Sequence, residues 1–121
     1  MDLDDLIGPL PAPLGRWMLR RLVAAGVRYG REFAVLLVRG ADADVLGGVL
    51  RGADIFSRWD GGDLLALLPD TDRPGAERVA DRVRKATGAS VGAAHWGGDL
   101  AEDLLERAVR GLEADAAQPS A

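Results

Sequence analysis

The run Phe33-Ala34-Val35-Leu36-Leu37-Val38 is apolar at every position. A strand with one wet face would alternate, so an unbroken apolar run predicts a central strand covered on both sides. In a chain of 121 residues those covers must be helices of the same domain. One α/β domain follows, long enough to bury roughly two-thirds of its unfolded surface without a covalent staple.

The flanking sequence supplies the other elements. Leu14, Met18, Leu22, Ala25 and Tyr29 recur at helical spacing and predict a helix near 13–30 with that stripe inward. Arg16, Arg20, Arg21 and Arg28 fall mostly off the stripe. A short helix is expected at 44–50, weakened by Gly47 and Gly48, each costing up to ~1 kcal/mol relative to Ala. Residues 55–59 and 64–68 read as strands joined by Asp60-Gly61-Gly62-Asp63, a tight hairpin whose glycines permit positive φ. Asp70-Thr71-Asp72 offers N-cap chemistry for a helix over 74–86 with Ala76, Val79, Ala80 and Val83 inward. A fourth strand at 90–94 and a helix at 100–113, with Ala101, Leu104, Leu105, Ala108 and Leu112 inward, complete the pattern. The expected organisation is a leading segment at 1–12, a domain at 13–113 and a flexible tail at 114–121.

Composition narrows the function. No cysteine is present, which excludes disulfides and cysteine-based zinc sites and makes a reducing, cytoplasmic setting the expectation. A net charge of −4 argues against general nucleic-acid binding. The longest apolar run is far too short to span a bilayer, and the N-terminus lacks a signal-peptide pattern, so no membrane role is expected. All cations but Lys85 are arginine, which reads as codon usage in a GC-rich genome. Trp17, Trp59 and Trp96 read as packing residues, and His95 as a passive surface residue.

One stretch is more specific than composition. Arg51-Gly52-Ala53-Asp54, then five residues, then Asp60-Gly61-Gly62-Asp63-Leu64, then Leu67-Leu68-Pro69-Asp70-Thr71, resembles the core of the GGDEF family of diguanylate cyclases. There an R-x-x-D pair precedes a signature hairpin and a strand ending in L-P-D-T. Asp5-Leu6-Ile7-Gly8-Pro9-Leu10-Pro11, Ser90-Val91-Gly92-Ala93 and Leu104-Leu105-Glu106-Arg107-Ala108 are similar, in order, to the family's D-x-L-T-G-L-P, S-I-G-V and L-L-x-R-A-D segments. The resemblance implies an α/β, palm-like (GGDEF/nucleotidyl cyclase-type) central sheet of about four to five strands flanked by helices.

It also implies that catalysis is lost. Active members end the first strand in a metal-binding aspartate and follow it with a long guanine- and ribose-holding segment. Here Arg39 stands at that place, only residues 40–50 separate it from Arg51, and Gly62 replaces a metal-binding acid of the hairpin. A like charge 4 Å from a metal ion costs about 4 kcal/mol per unit-charge pair near a surface. The signature Asp60, Gly61, Gly62, Asp63, Leu64 is therefore expected to be vestigial, with no cofactor. What the resemblance retains is the inhibitory site for cyclic di-GMP: Arg51 on the guanine edge, Asp54 accepting guanine N–H groups, and Arg82 on the following helix. R-x-x-D is common in this chain, since Arg39/Asp42 and Arg78/Asp81 also satisfy it, and only Arg51/Asp54 stands before the hairpin.

Two alternatives stay open. One is a ligand-independent interaction module acting through a homodimer or a separate signalling protein. In the other, a register shifted by one residue aligns Gly61-Gly62-Asp63 with the G-G-D of palm polymerases and CRISPR-associated cyclases. Asp42, Asp44, Asp60 and Asp63 would then hold Mg²⁺ for an active cyclase or nucleotidyltransferase.

Overall fold

The computed structural model describes residues 9–118. Its elements are helix α1 (Ala12–Tyr29), strand β1 (Phe33–Arg39), helix α2 (Ala43–Val49), strands β2 (Ile55–Arg58) and β3 (Leu64–Pro69), helix α3 (Arg73–Thr87), strand β4 (Ser90–His95) and helix α4 (Ala101–Ala116). The four strands form one antiparallel sheet in the order β2-β3-β1-β4. β1 is central, as its doubly apolar sequence requires.

Alternation along β1 divides the core. Ala34, Leu36 and Val38 face Leu46 of α2 and Ala76, Val79, Ala80 and Val83 of α3. Phe33, Val35 and Leu37 face Leu19 of α1 and Leu104, Ala108 and Leu112 of α4. Each fully buried leucine in these layers contributes about 1.5–3 kcal/mol. The inward faces of α3 and α4 are those their periodicity predicts.

α1 differs. Its buried residues are Gly15, Leu19 and Gly26, a face rotated by about one residue from the expected stripe, so Leu14 is 40% and Tyr29 67% exposed. The cause is steric. A Cβ on Gly15 would run into the Ser57 side chain, and one on Gly26 would lie 2.5 Å from the Trp96 ring. The helix settles on its two glycines, where the backbone can approach closest. Trp17, expected to pack, is consequently 55% exposed, whereas Trp96 stacks on Phe33 with ring centroids 5.7 Å apart.

Two boundaries move. The connection between β2 and β3 is a 3₁₀ turn at Asp60–Gly62 with Gly61 at φ 67° and Gly62 at φ 86°, wider than a two-residue hairpin. It is closed by the Trp59 amide donating to the Asp63 carbonyl at 2.8 Å. The last helix continues to Ala116 because Asp115, placed by sequence in the tail, accepts from the Val91 amide at 2.7 Å and from Arg84 Nε at 3.1 Å. Asp5 to Gly8 of the leading segment lie outside the described residues. Leu10 bridges to Ser57 at the outer edge of β2.

Candidate functional site

The signature turn comes first. The pairing of Val38 with Leu64 places the end of β1 beside the start of β3. There Arg39 Nε donates to Asp63 Oδ1 at 3.1 Å and Arg39 Nη2 to Asp63 Oδ2 at 3.0 Å. This is a planar fork on a carboxylate. The Asp63 side chain is only 10% exposed, and the hydrogen bonds and charge of Asp63 hold the Arg39 guanidinium above the ordinary arginine pKa. Sequence reasoning treats Arg39 only as a repellent for metal; in the fold it supplies the positive charge itself.

The other acid of the turn is also bridged. Arg16 of α1 reaches Asp60 with Nη2 at 3.1 and 3.2 Å from its two carboxylate oxygens, and its guanidinium lies 4.5 Å from the Trp59 ring centroid. Asp42 caps α2 by accepting from the Asp44 and Val45 amides. Thus Asp42, Asp60 and Asp63 each have a different partner, Asp44 is exposed, and no group of three or more His, Cys, Asp or Glu able to hold a metal occurs among the described residues. A cavity of about 440 Å³ beside the turn is lined by Arg39, Trp59, Asp60, Gly61 and Asp63 together with Leu37, Val109 and Leu112.

The second site lies on the other side of the sheet. Asp54, whose side chain has no exposed surface, accepts from the Arg51 amide at 2.9 Å, from Nε at 3.2 Å and from Nη2 at 3.0 Å. Arg51 Nη2 also donates to Thr71 Oγ1 at 2.8 Å, and Thr71 donates on to the Pro69 carbonyl at 2.9 Å. The hydrogen bonds and charge of Asp54 raise the Arg51 pKa. Of the five guanidinium donors, the two on Nη1 are taken by no acceptor among the described residues.

Arg51 lines a cavity of about 670 Å³ with Arg78, Arg82 and Lys85 of α3. The R-x-x-D arginine and the helix arginine of the sequence argument are therefore brought to one cavity; Asp54 is not among its walls. Of the four acids that line it, Asp72 caps α3 through the Gly75 amide at 2.7 Å, Asp81 pairs with Arg84 at 2.8 Å, Glu32 pairs with His95 at 2.8 Å, and Asp70 adds its charge to those that raise the Arg51 pKa. Arg78 and Lys85 are additional cations that spacing alone did not single out. They lie on the outward face of α3 within a turn of Arg82, a signal present in the sequence but indistinguishable there from any solvated helix face.

This arrangement of helices on a four-stranded antiparallel sheet recurs in known structures. The GGDEF domain of TpbB (YfiN) from Pseudomonas aeruginosa superposes with a TM-score of 0.82 at 19% identity, over 96% of this chain and 89% of that one. The fold is that of a GGDEF domain. The coiled coil and GGDEF domain of DgcB from Caulobacter crescentus, solved in complex with c-di-GMP, matches at TM-score 0.78 and 17% identity, over 93% of this chain and 79% of that one. Diguanylate cyclase SiaD from Pseudomonas aeruginosa, in complex with its activator SiaC, matches at TM-score 0.78 and 22% identity; this GGDEF-like domain covers 88% of its own length and 54% of SiaD. No family model and no curated protein matches the chain. No helix among the described residues is long and apolar enough to cross a membrane.

Proposed function

We propose that this GGDEF-like domain is a catalytically silent receptor for cyclic di-GMP, which docks in the cavity shared by Arg51 and Arg82. The observation that carries the reading is the convergence of four cations, Arg51, Arg78, Arg82 and Lys85, on one cavity, three of whose four acids, Glu32, Asp72 and Asp81, are engaged elsewhere, leaving Asp70. Guanine presents O6 and N7 as adjacent acceptors to which the Nη1 group of Arg51 can donate, and the two phosphates find cations on α3. Asp54 acts as a positioning residue: its buried carboxylate holds Arg51 through three hydrogen bonds and leaves Nη1 for the ligand.

Silence at the signature turn is supported by its two acids. Two-metal phosphoryl transfer needs convergent carboxylates with open positions, and Asp60 and Asp63 instead carry Arg16 and Arg39. Cytoplasmic residence accords with this ligand class and with the lack of cysteine.

Isothermal titration of the full chain with cyclic di-GMP tests the proposal. Wild type should release heat on binding, and Arg51→Ala should weaken binding by about 1.5–3 kcal/mol, or roughly ten- to hundredfold, as expected for loss of a charged hydrogen-bond donor. Absence of heat in the wild type ends the receptor reading. Formation of cyclic dinucleotide from GTP with Mg²⁺ or Mn²⁺ ends the claim of silence.

A further inference from the structure

Asp70 alone, among the described residues other than glycine, has a positive φ, at 51°. An L residue holds that conformation only where its surroundings fix it, and such residues gather at binding sites. Here the Asp70 amide donates to the Glu32 carbonyl at 3.0 Å, and the next residue, Thr71, is buried and accepts from Arg51. The backbone is held on both sides while the Asp70 side chain stays exposed and lines the cavity of Arg51, Arg78, Arg82 and Lys85. None of the ion pairs among the described residues includes it. Its charge is nevertheless felt at Arg51, so the two groups are neighbours on the cavity wall.

A guanine offers acceptors at N7 and O6 and, on the other side of O6, donors at N1–H and the 2-amino group. A cation that donates to O6 therefore leaves two adjacent donors unanswered, and a carboxylate has two oxygens with which to accept them. The family resemblance gives that part to Asp54. In the fold Asp54 has no exposed surface, directs its oxygens at Arg51, and is not a wall of the cavity. With Glu32, Asp72 and Asp81 engaged elsewhere, Asp70 is the acid of the cavity whose oxygens are open.

We infer that Asp70 is the guanine-selecting residue of this cavity, its carboxylate accepting from N1–H and the 2-amino group of one guanine while Arg51 Nη1 donates to O6. The inference rests on the receptor reading above and adds to it the source of base selectivity. Adenine carries an acceptor at N1 and has no 2-amino group, so its edge sets a lone pair against the carboxylate. The sign of the effect separates a base contact from a mere charge. An acid among four cations lowers the positive potential that attracts the phosphates, so Asp70 favours the dinucleotide only by touching the base.

Isothermal titration of the full chain with cyclic di-GMP and with cyclic di-AMP tests it. Wild type should bind cyclic di-GMP about tenfold or more tightly than cyclic di-AMP. Asp70→Asn, which tolerates the positive φ, should weaken cyclic di-GMP binding roughly ten- to hundredfold. It should also strengthen cyclic di-AMP binding, because an amide presents the donor and acceptor that the adenine edge matches. Asp70→Gly, equally at ease with that φ, should bring the two affinities together, and it replaces the first variant if circular dichroism shows that one misfolded. Were Asp70 to act through its charge alone, both variants would bind both dinucleotides more tightly. That result overturns the inference and leaves the receptor reading standing, as does a wild type that binds the two dinucleotides equally. A wild type that gives no heat with cyclic di-GMP removes the receptor reading itself and this inference with it.

Discussion

Arg39 and Asp63, 24 residues apart in the chain, form a two-bond fork across the β1–β3 junction. Asp63 is among the few buried polar residues of the domain, and its partner comes from the strand end where active GGDEF relatives are expected to hold a metal ligand. Substituting Arg39→Ala should leave a nearly buried carboxylate without its countercharge and lower the melting temperature, measurable by calorimetry at pH 7. Arg39→Ala/Asp63→Asn should recover part of the loss, because the remaining group is then neutral. If the single variant melts with the wild type, the fork contributes nothing.

Thr71 ties Arg51 of the cavity to the end of β3, since its hydroxyl accepts from Arg51 and donates to the Pro69 carbonyl. Thr71→Val keeps the shape and removes both bonds. The expected cost is about 1–3 kcal/mol in unfolding free energy by denaturant titration. Cyclic di-GMP binding should weaken in parallel, because Arg51 loses one of its anchors.

Gly92 lies where β4 and α4 meet. A Cβ there would collide with the Ala108 carbonyl and the Leu112 backbone, which are helix main chain and cannot rotate aside. Gly92→Ala should therefore destabilise by about 1–3 kcal/mol or more, whereas Gly48→Ala, with open space around it, should be neutral or stabilising. Thermal melts of the two variants give the contrast.

Asp115 joins α4 to β4 and α3. Burial alone would push its pKa up, but the Val91 amide and the Arg84 guanidinium reverse that and hold it below the ordinary aspartate value. A depressed folded-state pKa stabilises the protein above the unfolded value near 3.9 and loses that stability as pH falls through the folded value. Unfolding free energy should thus decline below about pH 4, with a shallower decline in Asp115→Asn. Asp99, likewise lowered by the Gly97 amide and, against some burial, by Arg107, sustains the remaining slope. Urea melts from pH 2 to 7 resolve the two curves.

Much of this was legible in the residues. Six apolar positions in a row announced β1, and the spacing of Ala76, Val79, Ala80 and Val83 named the buried side of α3 because side-chain burial there follows hydropathy. The placement of Arg51 before the hairpin pointed toward the cavity, although the burial of Asp54 beneath Arg51 could not be read from a four-residue spacing. The orientation of α1 was not legible, since Gly15 and Gly26 pack through the absence of a side chain and leave no hydrophobic signal. Arg39–Asp63 and Arg84–Asp115 were hidden for another reason: each pair is joined by strand register or helix docking across more than twenty residues.

The bridge from Leu10 has a consequence for how long a fragment can safely be. Its amide donates to the Phe56 carbonyl at 3.1 Å, and its own carbonyl accepts from the Arg58 amide at 2.8 Å, so a short stretch of extended chain seals the rim of β2. A truncation beginning at Ala12 would keep every helix and strand yet leave those two β2 groups unpaired. Raw sheet margins recruit strands from other molecules, and that trimmed fragment should precipitate or form oligomers on heating where the intact chain refolds.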